Sequence, residues 1–259
     1  MENKLISIIT VCYNSESHIE KCLKSVINQT YPCIEYIIVD GNSQDKTIEI
    51  VRKYEDKISR IISEDDNGIY DAMNKGITCA SGEVIYFLNS DDYLIDNNVI
   101  NDVMYEFNNH NVDVVYGDVR ANGKVIKYRQ KIKRFDLIKQ TICHQVIFCK
   151  RNILLQQGGF DIRYKVCADY KFVIKTFINN SFEIKYINRT IVNYSTEGFS
   201  SKNNYEYIIS LEKNNIITEN IKNQSFKEKS FMLISSIIVK VREVIRKNFN
   251  LYDIKDRRN

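Results

Sequence analysis

Residues 89–92 of this 259-residue chain, Asn89-Ser90-Asp91-Asp92, close a β-branched and aromatic run over residues 84–88. A buried strand that stops abruptly at two adjacent carboxylates delivers acid groups to a cleft at its carboxyl end. Taken alone, the same four residues also spell a turn that caps a following helix. Three other polar stretches weigh toward the cleft, because Thr10-Val11-Cys12-Tyr13-Asn14, Asp40-Gly41-Asn42-Ser43 and Glu64-Asp65-Asp66-Asn67 end apolar runs in the same way. Carboxylates gathered at one rim, with no Cys/His cluster beside them, suit a hard divalent cation such as Mg²⁺ or Mn²⁺ shared with substrate phosphates. That arrangement fits transfer of a group away from a nucleoside diphosphate, with the ion neutralising the departing diphosphate. Transfer to a hydroxyl also needs a general base on the opposite side, and the second half of the chain offers Asp169. The plain alternative for Asp169 is a helix cap.

The elements that must position these groups follow from periodicity. A strand over 5–11 precedes the capping box Ser17-His18-Ile19-Glu20 and a helix with Ile19, Cys22, Leu23, Val26 and Ile27 on one face. A second strand over 34–39 leads to a helix marked by Ile48, Val51, Tyr54 and Ile58, and a short third strand over 60–62 to a helix marked by Ile69, Met73 and Ile77. The run over 84–88 is the fourth strand. Alternating strands and helices imply a parallel sheet covered on both faces, with ligands bound outside the carboxyl ends of the strands. The first turn contains no glycine, which excludes a Gly-x-Gly-x-x-Gly dinucleotide fingerprint and a phosphate-cradling P-loop there. After a helix over about 97–109, strands are expected over 112–116 and 124–128, and then the alternation breaks. A strand over 145–149, helices over 152–157 and 169–179 and an extended run over 182–194 form the expected acceptor-binding half.

With 44% hydrophobic residues, the chain has an ordinary globular composition and length enough for a substantial core. Its seven cysteines are odd in number, scattered and free of any Cys-x-x-Cys pair, which fits reduced thiols in a cytoplasmic protein. Residues 5–12 are too short and weakly flanked for a signal peptide, and no apolar run reaches membrane-spanning length. The net charge of +4 is unevenly placed: residues 222–259 carry ten Lys/Arg against four Asp/Glu, and the preceding residues carry 27 against 29. A slightly acidic body with a basic tail is not a nucleic-acid-binding domain. The tail reads as a basic amphipathic helix, with Ile234, Ile238, Val241, Ile245 and Phe249 flanked by Lys240, Arg242, Arg246 and Lys247. Such a helix either packs on the domain with a solvated charged face or touches a partner or, through residues 225–249, an anionic membrane.

Four segments together resemble the bacterial family 2 glycosyltransferases of the GT-A fold: Ser7-Ile8-Ile9-Thr10-Val11-Cys12-Tyr13-Asn14, Val39-Asp40-Gly41-Asn42-Ser43-Gln44-Asp45, the stretch from Asp66-Asn67 through Gly68-Ile69-Tyr70-Asp71-Ala72-Met73-Asn74-Lys75-Gly76, and Leu88-Asn89-Ser90-Asp91-Asp92. The third is most similar to enzymes of capsule, exopolysaccharide and lipopolysaccharide assembly. The resemblance implies an α/β fold with a Rossmann-like mixed sheet flanked by helices, a single catalytic domain over 1–221 (nucleotide-sugar half 1–95, acceptor half 96–221) and a helical tail over 222–259. It implies that Thr10, Tyr13 and Asp40 hold the nucleotide base and ribose, with Asn14 beside them, and that Asp66 and Lys75 lie near the nucleotide or its sugar. Asn89-Ser90-Asp91 stands at the family's Asp-x-Asp position, so Asp91 meets the metal and Asp92 the metal or the donor sugar. Asn89 departs from that pattern and offers a neutral, weaker ligand. Gly158-Gly159-Phe160-Asp161 and Ala168-Asp169-Tyr170 resemble the segment that supplies the base, of whose acidic pair only Asp169 remains. His144 is either a structural histidine or a donor or acceptor contact. Glu197-Gly198-Phe199-Ser200-Ser201 is a candidate loop over the diphosphate, and Arg163 and Lys165 candidate phosphate contacts. The expected reaction is metal-assisted inverting transfer of a sugar from a nucleoside-diphosphate donor to a hydroxyl of a lipid-linked or other cell-surface glycan. The expected place is the cytoplasm, peripheral on the inner membrane face. A catalytically inactive nucleotide-sugar-binding scaffold is the competing reading, and nucleotidyl transfer is disfavoured because it usually brings a phosphate loop near the amino end.

Overall fold

The computed structural model describes residues 3–178, 181–195, 205–221, 225–234, 237–238 and 241. Strand β1 (Ile6–Cys12) and strand β4 (Val84–Phe87) are buried at every position, and β2 (Ile34–Asp40) over its last five. Strands buried at successive positions in this way are covered on both faces. β2 pairs with β3 (Arg60–Ser63), β1 with β2 and β1 with β4, all parallel, so the carboxyl ends of the four strands share one rim. The crossovers are α1 (Ile19–Ile27), α2 (Thr47–Arg52) and α3 (Ile69–Cys79). α1 turns Ile19, Cys22, Leu23 and Val26 inward, and α3 turns Tyr70, Ala72, Met73, Gly76 and Ile77 inward.

The capping box expected at Ser17 does not form, and no side chain caps α1. Ser15 is already fixed by the Thr47 hydroxyl at 2.7 Å and the Ser90 hydroxyl at 2.9 Å, and its carbonyl accepts the His18 and Ile19 amides. Glu20 instead receives the Tyr54 hydroxyl at 2.7 Å. Tyr54 and Ile58, expected on the second helix, lie beyond the end of α2, where a 3-10 turn (Glu55–Lys57) intervenes.

The second half comprises β5 (Tyr93–Leu94), α4 (Val99–Asn109), β6 (Val114–Ala121), β7 (Lys124–Ile126), α5 (Arg134–Lys139), β8 (Ile147–Lys150), α6 (Arg151–Gln156), α7 (Ala168–Ile178), β9 (Ile184–Tyr194) and α8 (Glu206–Asn220). The sheet order is β3-β2-β1-β4-β8-β6-β9-β5, with β7 on β6. β8 enters antiparallel between β4 and β6, and its Phe148 stacks on Tyr86 of β4 with ring centroids 4.1 Å apart. This makes the sheet mixed. β6 runs well past the expected residue 116 because it stays paired with β9 across an irregularity at residues 116–119. Gln145, expected in a strand, sits in a 3-10 turn (His144–Val146) just before β8.

α8 holds the approach to α7, for Glu212 accepts the backbone amides of Lys165, Val166 and Cys167 at 2.7, 3.0 and 2.9 Å. Residues 226–234 are helical. That helix docks on α5: Glu228 receives Arg134 Nε and Nη2, both at 2.7 Å, and Phe231 meets Phe135 edge-on. Phe226, Leu233, Ile234, Ile237, Ile238 and Val241 remain exposed. Ile245, Phe249 and the candidate loop at residues 197–201 lie outside the described residues. Among the described residues, no helix is long and apolar enough to cross a membrane.

Candidate functional site

At the β1–β2–β3 end of the rim, Asp40 is completely buried. Its carboxylate accepts the Ser43 amide at 3.0 Å and the hydroxyls of Ser43 and, at 2.7 Å, Ser63. With the Cys12 thiol of β1 donating to it at 3.6 Å, it knits three strand ends together. Thr10 is also fully buried, its hydroxyl 3.2 Å from that of Tyr36 and its neighbour the Cys22 thiol, so this side chain faces the core under α1. Tyr13 is 62% exposed on the rim. A Cβ on Gly41 would sit 2.5 Å from the Asp66 carboxylate and 3.4 Å from the Tyr13 ring, so the missing side chain is what lets Tyr13 and Asp66 converge. An exposed aromatic ring beside a carboxylate is a natural seat for a base and its ribose hydroxyls.

Asn14, at φ +46°, bonds the next loop twice, donating its amide to Ser43 Oγ and accepting from the Gln44 amide, each at 2.9 Å. Lys75 donates to the Asp65 carbonyl at 2.6 Å and pairs with Glu64 at 2.9 Å, which raises its pKa. Its ammonium thus braces the β3–α3 loop.

The β4 end splits its four polar residues between two tasks. Asn89 Oδ1 is buried and meets no hydrogen-bond partner among the described residues. Such an orphan acceptor costs roughly 1–3 kcal/mol unless something fills it. With the partly exposed Asp91 two residues on, it makes a neutral and an anionic oxygen donor, which fits a hard cation that keeps waters and phosphate oxygens in its shell. Among the described residues no group of three or more His, Cys, Asp or Glu is arranged to hold a metal, so the remaining ligands would come from substrate and water.

Asp92 is 1% exposed and turns inward, its Oδ2 accepting Gln145 Nε2 at 2.9 Å and its Oδ1 the Ser195 amide at 2.7 Å. Burial, helped by the charge of Asp91, pushes its pKa up to about 8, although both hydrogen bonds pull the other way. Here the carboxylate is engaged by the protein rather than by the rim, and it ties β4 to β8 and β9.

His144 and Asp169 come together from different elements. His144 Nδ1 lies 3.1 Å from Asp169 Oδ2, while the Tyr70 hydroxyl is 2.9 Å from Asp169 Oδ1 and 2.7 Å from the Val166 carbonyl. Burial favours the neutral carboxyl, yet the His144 contact and the Tyr70 hydroxyl outweigh it and hold the Asp169 pKa below its usual range. Asp169 is therefore ionised at neutral pH. Two earlier candidates are engaged elsewhere: Arg163 pairs with Asp161 at 2.7 Å, and the Lys165 ammonium lies over the Tyr205 ring. Tyr70, which completes the cluster with Gln145, stands inside a quoted motif, and Gln145 opens the strand expected over 145–149; neither had been singled out. Ser195 and Glu212 carry no local signal.

The sequence profile described as Glycosyl transferase family 2 matches residues 7–177. The chain belongs to that family. This glycosyltransferase is 33% identical over 206 residues to a PGL/p-HBAD biosynthesis glycosyltransferase of Mycobacterium bovis, covering 76% of this chain and 79% of the relative. Among solved structures it resembles Staphylococcus aureus TarS 1-349 in complex with UDP-GlcNAc, with TM-score 0.70 and 21% identity over 90% of this chain and 71% of that one. It also resembles the mannosyltransferase PcManGT of Pyrobaculum calidifontis in complex with GDP-Man and Mn²⁺, with TM-score 0.63 and 14% identity over 92% of this chain and 70% of that one. The glycosyltransferase has the GT-A fold, a mixed sheet with helices around it.

Proposed function

We propose that this glycosyltransferase moves a sugar from a nucleoside-diphosphate donor to an acceptor hydroxyl with inversion, in one displacement. The observation that supports this best is a short relay across the cleft. Asp91 adjoins Asp92, Asp92 bonds Gln145, Gln145 adjoins His144, and His144 bonds Asp169. One end offers oxygens for a cation and the other an ionised carboxylate. Tyr13 and Asp66 hold the base and ribose, with Asp40, Asn14 and Lys75 fixing the loops around them. Asp169 accepts the acceptor hydroxyl's proton as that oxygen bonds to the anomeric carbon and the bond to the diphosphate breaks. A divalent cation bound at Asp91 and Asn89 would supply Lewis-acid neutralisation of the departing diphosphate. The named ligands of TarS and PcManGT, UDP-GlcNAc and GDP-Man, agree with a nucleotide-sugar donor.

The acceptor is a lipid-linked glycan at the cytoplasmic face of an anionic membrane. This part rests on the exposed apolar residues Phe226, Leu233, Ile234, Ile237, Ile238 and Val241 and on the excess of Lys and Arg in the sequence of residues 222–259. Asn89 favours one competing reading, a scaffold that binds the donor without turnover. Release of nucleoside diphosphate from UDP-, GDP- and dTDP-sugars, with and without Mn²⁺ and membrane-extracted lipid acceptors, separates the two. Donor-specific, metal-dependent release that falls roughly 10²-fold or more in both Asp91→Ala and Asp169→Asn is the expected result. Saturable donor binding with no release would establish the scaffold instead.

A further inference from the structure

The turn that carries His144 is held on every side. The Tyr86 hydroxyl donates to the Gln145 carbonyl at 2.8 Å, the Cys143 amide donates to the Tyr128 hydroxyl at 2.9 Å, and the Gln145 side chain lies between the Cys143 thiol and Asp92. His144 itself is 14% exposed, whereas the Asp169 side chain is 22% exposed. Of the two groups the carboxylate is the more exposed.

Hydrogen-bond capacities fix one nitrogen of the ring. An ionised carboxylate only accepts, so the 3.1 Å contact puts the proton on His144 Nδ1, and Nε2 is left buried with no partner among the described residues. The other donor to Asp169 is less committed. Tyr70 has one hydroxyl proton for two acceptors, and the Val166 carbonyl is the nearer. When that proton goes to Val166, His144 is the side chain left donating to the carboxylate.

We propose that His144 is a positioning residue for transfer: with a proton on Nδ1 it holds Asp169 in the rotamer that meets the acceptor hydroxyl, and through Gln145 and Asp92 it sets that carboxylate's place relative to Asp91. This rests on Asp169 being the base. It assigns His144 no contact with donor or acceptor, which is one of the two readings of this residue from sequence.

Two side chains of matched shape test it. Asn at position 144 can place its amide nitrogen where Nδ1 stands, whereas Gln places its amide nearer to Nε2. In His144→Gln, kcat for transfer is expected to fall roughly 10²-fold, the scale of a lost general base, with donor KM changed less than about twofold. His144→Asn is expected to recover kcat to within about fivefold of the parent. Imidazole ¹⁵N spectra of the full chain, which has only His18, His110 and His144 to assign, should show His144 protonated on Nδ1 at neutral pH and lose that preference in Asp169→Ala. A ring protonated on Nε2 alone, a Gln variant as active as the parent, or an Asn variant no better than Gln would each overturn the role. A parent that releases no nucleoside diphosphate would instead overturn the enzyme reading, and the spectra would still report the His144–Asp169 contact independently.

Discussion

Asp92 spends its charge inside the protein. The unfolded chain releases its proton near the ordinary 3.8, while the folded chain keeps it to about 8. Across that window the folded state binds more protons, so stability contributed by this group is full below pH 4 and is lost as pH rises toward 8. Asp92→Asn removes the dependence. In urea titrations without divalent ion, the parent's stability minus the variant's is expected to fall with pH, by at most roughly 1.4 kcal/mol per unit. A difference that is flat from pH 4 to 8 would refute it. None of this was legible in Ser90-Asp91-Asp92, where the two carboxylates look alike. What separates them is Ser195, 103 residues away, and Gln145, 53 away.

At the scale of elements, the sequence exposed the strands and hid their faces. The run over 84–88 announced β4 and its polar end because a doubly covered strand must be apolar throughout. The same property concealed Thr10: with both faces buried, alternation does not tell the ligand side from the α1 side. The Gly158-Gly159-Phe160-Asp161 segment, quoted only for its resemblance, forms a turn. Gly159 has φ +71° and stands against Asn74, whose side chain accepts the Phe160 amide and donates to the Phe160 carbonyl, both at 2.8 Å. This contact pins the α6–α7 connection to α3 and lines a cavity of about 400 Å³ with Asp161 and Lys171. Gly159→Ala meets both a disfavoured backbone region and the Asn74 oxygen, and is expected to destabilise the fold by about 1–3 kcal/mol. Asn74→Ala in the same background should recover part of that loss if the clash contributes, and calorimetry of the pair measures it.

For the molecule as a whole, charge and apolar surface gather at one end of the chain. The helix at residues 226–234 spends Glu228, Phe231 and Met232 on the body and presents a separate apolar stripe outward. Vesicles with anionic lipid should bind the parent, and raised salt should weaken binding by screening. Ile234→Glu with Ile238→Glu, which leaves the docked residues intact, is expected to cut partition at least tenfold; unchanged partition would remove the membrane from the functional reading. The insertion of β8 between β4 and β6 has a consequence of another kind, in the order of synthesis. β4 is the last of the four parallel strands to be made, and its free edge is covered only by residues 148–150. While some sixty residues are being added, a growing chain carries the four parallel strands with the β4 edge open, the kind of template on which chains join one another. A fragment stopped near residue 95 should therefore aggregate rather than persist as a small sugar-nucleotide-binding module, and this family 2 chain has to be finished through β8 before its first half is safe.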